Sequence, residues 1–162
     1  MRKRAVAVTA FAVFLIVFAA LQFVRRPTFR NPPVAPSRAM QTHVQVPADV
    51  DTILRRSCYD CHSNETQWPL YARVAPVSWL AARDVRQGRA DLNFSEWSTD
   101  PDLEPTPAQR LGGICSDLRK GIMPLRSYRA MHPRARLSDL QVERVCAWTQ
   151  AARVQLPSAS ID

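Results

Sequence analysis

A Cys-x-x-Cys-His pattern occurs in the stretch Arg56-Ser57-Cys58-Tyr59-Asp60-Cys61-His62-Ser63-Asn64. This spacing is the attachment pattern of c-type haem. Two thiols at this spacing can add to the two vinyl groups on one edge of a porphyrin, and the next residue then directs its imidazole at the iron. Cys58 and Cys61 are therefore predicted to be thioether anchors, and His62 is predicted to be the proximal ligand. Because the pattern occurs once, we expect one covalent haem c.

The two cysteines also fit half of a zinc site or a redox-active disulfide. A zinc site needs further ligands, and Cys115 and Cys146 form no second closely spaced pair. A thioredoxin-like dithiol is expected after a strand in a βαβ unit, whereas residues 48–57 have the pattern of a short amphipathic helix. The sequence therefore favours haem over zinc or dithiol chemistry.

The second ring nitrogen of His62 also has a predicted hydrogen-bond partner. A histidine that binds a metal usually donates its second ring N–H to a carbonyl or carboxylate. We expect the acceptor to be a carbonyl of the loop Trp68–Pro76, which follows the motif. Trp68 and Tyr71 in this loop either pack on the porphyrin edge or close a small core.

The N-terminus combines three basic residues at 2–4 with an apolar run at 5–24. About 20 apolar residues suffice to span a bilayer as a helix. A cleaved signal peptide is the alternative, but cuts after Ala19 or Ala20 place a large side chain at the third position before the cut. We therefore predict that residues 1–24 are an uncleaved signal anchor.

Basic residues flank the apolar run on both sides, since Arg25, Arg26 and Arg30 follow it, so the charge distribution does not indicate the orientation of the chain in the membrane. The haem motif does indicate it. Haem of the c type is attached outside the cytoplasm. We expect a single-pass protein of the bacterial inner membrane whose C-terminal domain lies in the periplasm. The net charge is +8, but no basic stripe interleaved with aromatics indicates nucleic-acid binding.

Residues 25–46 are rich in proline and poor in large apolar side chains. Proline fixes φ and lacks a backbone donor, so we predict an extended tether between membrane and domain. Met40 and His43 lie in this segment and are conceivable iron ligands, although residues in a loose tether are usually solvated.

Residues 47–155 are predicted to form the haem-binding domain, and residues 156–162 a tail. Helices are predicted to begin at Pro47 or Ala48, after Pro76, at Thr106-Pro107 and after Ser138. Ser138 and Gln141 form a capping box. Because no segment alternates like a strand, we predict an all-α, small cytochrome c-like domain. It would have about four helices around one covalent haem, preceded by an N-terminal transmembrane helix.

The distal ligand is predicted to be Met123, which lies after a helix and immediately before Pro124. A rigid Met-Pro turn can hold a thioether towards a haem face, although a lone methionine can also be a core filler. His132 is the alternative distal ligand, and Met131 or an open iron position are the remaining options.

Cys115 and Cys146 are both predicted on apolar helix faces. In an oxidising compartment the two can form a disulfide. Equally, each can be a buried free thiol that packs as a small hydrophobic residue.

Several motifs occur in order between residues 47 and 152. They are Cys58-Tyr-Asp-Cys-His-Ser-Asn-Glu-Thr-Gln-Trp-Pro-Leu-Tyr71, Ala75-Pro-Val-Ser-Trp-Leu80, Asp84-Val85, Gly88-Arg89, Leu92-Asn-Phe-Ser-Glu-Trp97, Gly121-Ile-Met-Pro124 and His132-Pro-x-Ala-x-Leu-Ser138. Together they resemble the haem-binding domain family of bacterial c-type cytochromes. The resemblance implies a small helical domain with one covalent haem, attached at Cys58 and Cys61 and ligated by His62.

The same resemblance makes Met123 the natural distal candidate. The family often has two prolines after this methionine, whereas Leu125 follows Pro124 in this chain. A haem with His and Met ligands is six-coordinate, and methionine raises its reduction potential. The predicted function is therefore a membrane-tethered monohaem cytochrome that transfers single electrons to redox partner proteins.

Two other functions remain open at this point. A peroxidase-like enzyme needs an open iron position and could recruit His132, Arg126 or Arg129 as acid/base groups. A haem-based sensor of redox state or of small gases also needs an iron position that a ligand can enter.

Overall fold

The computed structural model describes residues 2–24, 26–100 and 102–156. Within these residues the chain forms eight α-helices and no strand, so the predicted all-α class is confirmed. The helices are α1 (Arg2–Leu21), α2 (Met40–His43), α3 (Ala48–Ser57), α4 (Tyr59–His62), α5 (Val77–Asp91), α6 (Pro107–Arg119), α7 (Arg126–Met131) and α8 (Asp139–Gln155). Short 3₁₀ turns lie at Pro36–Arg38, Leu70–Arg73 and Pro133–Ala135.

Helix α1 contains the apolar N-terminal run and buries none of its residues against the domain. Its 20 residues correspond to about 30 Å of helix, the thickness of the hydrocarbon core of a bilayer. The helix is thus long and apolar enough to cross a membrane, and a signal sequence would satisfy the same criterion.

Two of the long helices begin with reciprocal caps. At α8 the Gln141 N–H donates to Ser138 Oγ at 3.3 Å, and the Ser138 N–H donates to Gln141 Oε1 at 3.1 Å, as predicted. The same box joins Thr106 and Gln109 at the start of α6, where the sequence had indicated only a cap and a proline. Such caps stabilise a helix start by about 1 kcal/mol each.

The core of the domain is built by α3, α6 and α8. Its fully buried side chains include Val50, Leu54, Leu111 and Val145. Helices α6 and α8 are also joined covalently, because Cys115 and Cys146 form a disulfide with a Cα–Cα distance of 4.8 Å. The structure thereby decides between the two interpretations of this cysteine pair.

The segment predicted as a tether, 25–46, lies against the domain, and its second half is packed into the core. Met40 and Val44 are buried, and the Met40 N–H donates to the carbonyl of Phe94 at 2.8 Å. Four residues apart on one helical turn, the two side chains enter the core together. In the first half, the Asn31 side chain donates to the Thr66 carbonyl at 2.8 Å. The prediction of an extended, solvated tether is therefore wrong, because the proline content did not indicate the amphipathic turn or the polar contacts with the domain.

The ends of the domain differ only slightly from expectation. Helix α3 begins at Ala48 as predicted, and α5 continues to Asp91, one turn beyond the predicted end near Gly88. Of the predicted tail, Leu156 is partly buried against the core, and residues 157–162 lie outside the described residues.

Candidate haem-binding site

A cavity of about 550 Å³ lies beside the Cys-x-x-Cys-His motif. Cys58, Cys61 and His62 contribute to its wall from one segment, and Met123 contributes from the turn after α6. The four residues predicted to bind haem thus border one cavity, although about 60 residues separate the motif from the methionine. The volume is within the range of about 300–1,000 Å³ typical of ligand and cofactor sites.

The imidazole of His62 is oriented by the last turn of α5. Its Nδ1 lies 2.9 Å from the carbonyl oxygen of Gly88 and 3.1 Å from that of Leu92. Carbonyl oxygens only accept, so Nδ1 is the donor, and in the neutral imidazole Nε2 then keeps a lone pair. The imidazole is therefore set up to bind a metal through Nε2.

The predicted acceptor in the loop Trp68–Pro76 is wrong. Helix α5 packs directly on the motif, and the carbonyl oxygens at its carboxyl-terminal end occupy the hydrogen-bonding positions beside the His62 ring. The sequence signal for this contact is Gly88, since a Cβ on this residue would lie 2.7 Å from the carbonyl oxygen of Cys61. Only glycine allows so close an approach of the two backbones.

The thiols of Cys58 and Cys61 are both held in the neutral form. Burial raises the pKa of each to about 12. The neighbouring Cys61 thiol also raises the pKa of Cys58, since two adjacent thiolates would repel each other, and the carboxylates of Asp60 and Asp84 raise the pKa of Cys61 further. Redox-active Cys-x-x-Cys motifs have lowered pKa values instead. Among the described residues there is also no cluster of three or more His, Cys, Asp or Glu that could hold a zinc ion.

Met123 is brought to the cavity by the way α6 ends. Gly121 has φ +66°, its N–H donates to Leu118 at 3.0 Å, and the Ile122 N–H donates to Asp117 at 3.0 Å. These two bonds and the left-handed glycine form a Schellman motif, which ends a helix and turns the chain. The methionine follows directly and is half-buried at the cavity wall.

His132 and Met131, the alternative distal residues, do not border this cavity. The His132 ring stacks on Tyr128 with centroids 4.2 Å apart and is hydrogen-bonded to the Tyr71 hydroxyl. The side chain of Met131 is 55% exposed.

The residues considered in the N-terminal segment also lie elsewhere. Met40 is in the core, and the His43 ring lies 2.9 Å from the Ser37 carbonyl oxygen. Arg126 and Arg129, considered for a peroxidase-like reaction, are not part of the cavity wall.

The aromatic wall of the cavity differs from expectation. Trp68 and Tyr71 do not line it; Trp68 packs edge-on against Phe29, with ring centroids 5.1 Å apart. Phe94 and Tyr128 line it instead. The sequence indicated that Phe94 faces inward, as its burial confirms, but assigned neither residue to the cavity, because each comes from a segment whose position is set by tertiary contacts.

Tyr128 is linked to the haem motif through Asp60. Its hydroxyl donates to Asp60 Oδ2 at 2.7 Å, and Asp60 Oδ1 accepts the N–H of Gln67 at 2.9 Å. Burial, together with the Asp60 carboxylate, raises the pKa of Tyr128 above its usual value. The tyrosine is therefore a neutral donor that ties α7 to the motif.

The residues around the cavity fit a haem. The wall supplies two thiols, an imidazole with a free Nε2, a thioether, and apolar side chains that include Leu92, Ile114 and Leu118. Ser57 Oγ is buried on this wall and has no hydrogen-bond partner among the described residues. Buried hydroxyls are normally paired, so the contents of the cavity are expected to supply its partner.

The comparison with protein families agrees with this geometry. A family model described as haem-binding domain matches residues 16–151, which include the four predicted haem-binding residues and the packed half of the segment 25–46. No curated protein and no solved structure matches the chain. The resemblance seen in the ordered motifs is confirmed, and the match extends further towards the N-terminus than those motifs do. The chain therefore belongs to the haem-binding domain family.

Proposed function

We propose that this protein is a membrane-tethered monohaem c-type cytochrome that carries single electrons outside the cytoplasm. The observation that carries the proposal is the single cavity bordered by Cys58, Cys61, His62 and Met123. A non-covalent haem site would need only the ligands. Two further thiols at the attachment spacing support covalent binding.

In this proposal each residue has a defined part. Cys58 and Cys61 would hold the porphyrin covalently, each thiol adding its S–H across a vinyl group to give a thioether. His62, whose Nδ1 is held by the Gly88 carbonyl at 2.9 Å, would bind the iron through Nε2. Met123 would supply a thioether as a further ligand. The bound haem supplies one-electron chemistry of iron, and the protein positions it and excludes water.

Two features support a location outside the cytoplasm. Helix α1 is long and apolar enough to anchor the domain in a membrane. The Cys115–Cys146 disulfide fits an oxidising compartment, because disulfides are rare in cytoplasmic proteins. Both features support our proposal that the domain lies on the periplasmic side of a bacterial inner membrane.

The first test is whether the haem stays with the denatured chain. The full chain is produced in a host with c-type haem maturation, and haem is detected on a denaturing gel. We expect covalent haem in the wild type and loss of it in the Cys58→Ala/Cys61→Ala variant. The matched control is Cys115→Ala/Cys146→Ala, which removes two cysteines away from the cavity and should keep the haem. Wild-type protein without covalent haem would contradict the proposal.

The second test separates an electron carrier from the two other haem functions. We expect a low-spin spectrum with the weak far-red sulfur-to-iron band, and no change when carbon monoxide is added to the reduced protein. A high-spin spectrum that shifts with carbon monoxide would contradict the electron-carrier proposal and favour a peroxidase-like enzyme or a gas sensor. Rapid peroxide turnover would then distinguish the enzyme.

A further inference from the structure

We propose that the domain rests on the lipid bilayer through a juxtamembrane patch formed by Leu70, Val74, Val77 and Leu80. This inference depends on the membrane anchor of the proposed function. These side chains are 81%, 43%, 42% and 57% exposed. Four large apolar side chains are exposed within eleven consecutive residues. Such clustering differs from the single exposed apolar residues that are common on soluble proteins.

The exposed side chains lie at the start of α5 and in the segment that leads into it. On α5, Val77 and Leu80 are three residues apart and therefore neighbours on one face. One and two turns further along, the same face carries Asp84 and Gly88, which border the haem cavity. Only the first turn of this face is exposed, and it is the part that the proposal assigns to lipid.

The position of the patch is fixed by contacts with the end of α1. The Gln22 side chain binds the backbone of Ala75 twice, accepting its N–H at 3.0 Å and donating to its carbonyl at 3.3 Å. The Trp79 indole N–H donates to the carbonyl of Val24 at 3.3 Å. Segment 75–79 is therefore attached to the chain where the apolar helix ends. In a membrane-anchored protein this is the surface of the bilayer.

The chemistry of neighbouring residues also fits a lipid surface. Trp79 lies between Val77 and Leu80, and tryptophan is enriched where a membrane meets water. Arg73 and Arg83 are exposed beside the patch, where guanidinium groups can pair with anionic lipid phosphates. Apolar side chains, an interfacial tryptophan and flanking arginines together indicate lipid as the occupant.

The patch would also determine the distance between the haem cavity and the bilayer. Helix α5 runs from Val77 and Leu80 to the cavity residues Asp84 and Gly88. Eight residues of helix between Leu80 and Gly88 correspond to about 12 Å along the axis. With its first turn on the lipid, α5 would keep the cavity at a constant short distance from the bilayer.

The test is photo-crosslinking of the full-length haem protein in nanodiscs of phosphatidylcholine and phosphatidylglycerol. Leu70 is replaced by p-benzoylphenylalanine, and lipid adducts are detected by intact mass after illumination. Two matched positions are labelled in separate variants. Phe14 lies in α1, and Leu140 on α8 is 80% exposed, close to the 81% of Leu70. An unchanged haem spectrum verifies that each variant is folded.

We expect lipid adducts from positions 14 and 70 and none from position 140. Adducts from position 14 alone would overturn the juxtamembrane patch and leave the membrane anchor intact. The absence of adducts from both 14 and 70 would overturn the anchor itself, and the patch with it. Equal adducts from 70 and 140 would mean that the domain contacts lipid without a preferred face, which also contradicts the proposal.

Discussion

The ring of Tyr128 stacks on the ring of His132, with centroids 4.2 Å apart and planes inclined by 15°. Tyr128 borders the haem cavity on one side and an outer groove on the other, and His132 borders only the groove. Sequence reasoning had considered His132 as a ligand inside the site. The structure places it behind the wall, where it supports the tyrosine that faces the cavity.

Removing the hydroxyl of Tyr128 should lower the stability of the folded protein while leaving iron ligation unchanged. In Tyr128→Phe the ring can still stack on His132, but the hydrogen bond to Asp60 is lost. We expect the free energy of unfolding to fall by roughly 1 kcal/mol, because the carboxylate is half-buried and partly hydrated. Urea denaturation measures the loss. A variant as stable as the wild type would mean that this hydrogen bond contributes nothing to the attachment of α7.

Gly88→Ala should disturb both stability and the haem ligand. A methyl group at this position meets the Cys61 carbonyl oxygen at 2.7 Å, so one of the two backbones has to move. We expect a loss of about 1–3 kcal/mol, as for overpacking in general, and an altered spectrum, since the Gly88 carbonyl orients His62.

The control for this variant is Gly112→Ala on α6, which is not on the cavity wall. A Cβ at Gly112 lies 3.2 Å from the end of the flexible Arg153 side chain, which can move aside, and alanine is favoured over glycine in helices by up to about 1 kcal/mol. We expect unchanged or higher stability. If the two variants melt at the same temperature, the close contact between α4 and α5 is not a constraint.

Met123→Ala should open a coordination position on the iron. Because no other described methionine or histidine apart from His62 borders the cavity, we expect the far-red sulfur band to disappear and the reduced protein to bind carbon monoxide. Met131→Ala is the matched control, and His132→Ala tests the alternative ligand. Both should keep the wild-type spectrum. Loss of the low-spin spectrum in His132→Ala alone would transfer the distal role to that histidine.

Replacing Cys115 and Cys146 by alanine should lower stability without altering the haem spectrum. The disulfide closes a loop with a sequence separation of 31, for which the chain-entropy model gives about 3–4 kcal/mol. Thermal unfolding of the haem-loaded variant measures the loss. A thiol count on the denatured wild-type protein gives an independent result, because two reactive thiols at these positions would contradict the disulfide.

Local patterns in the sequence were sufficient for part of the fold. The box of Ser138 and Gln141, the start of α3 at Ala48 and the position of Met123 after a helix all depend on neighbours within a few residues. The haem motif itself is local for the same reason, since covalent attachment requires a fixed spacing. These features are determined before the chain folds back on itself.

Other features depended on contacts between distant segments. The acceptor for His62 lies 26 residues away at Gly88, and its choice depends on how closely α5 packs on α4. Tyr128 reaches Asp60 across 68 residues. Met40 was expected in a solvated tether because the surrounding prolines suggested extended chain, whereas its burial depends on the partner surface near Phe94. Gly88 indicates a close approach of two backbones, but no local pattern identifies which distant segment approaches it.

The two residues between the motif cysteines, Tyr59 and Asp60, both contact segments that are distant in sequence. The Tyr59 ring stacks on the Phe94 ring with centroids 5.1 Å apart, and Asp60 accepts a hydrogen bond from the Tyr128 hydroxyl. Phe94 and Tyr128 both border the cavity. Under the proposed function, the spacer between the two anchoring cysteines would therefore set the attachment spacing and also hold in place two of the aromatic side chains that enclose the haem.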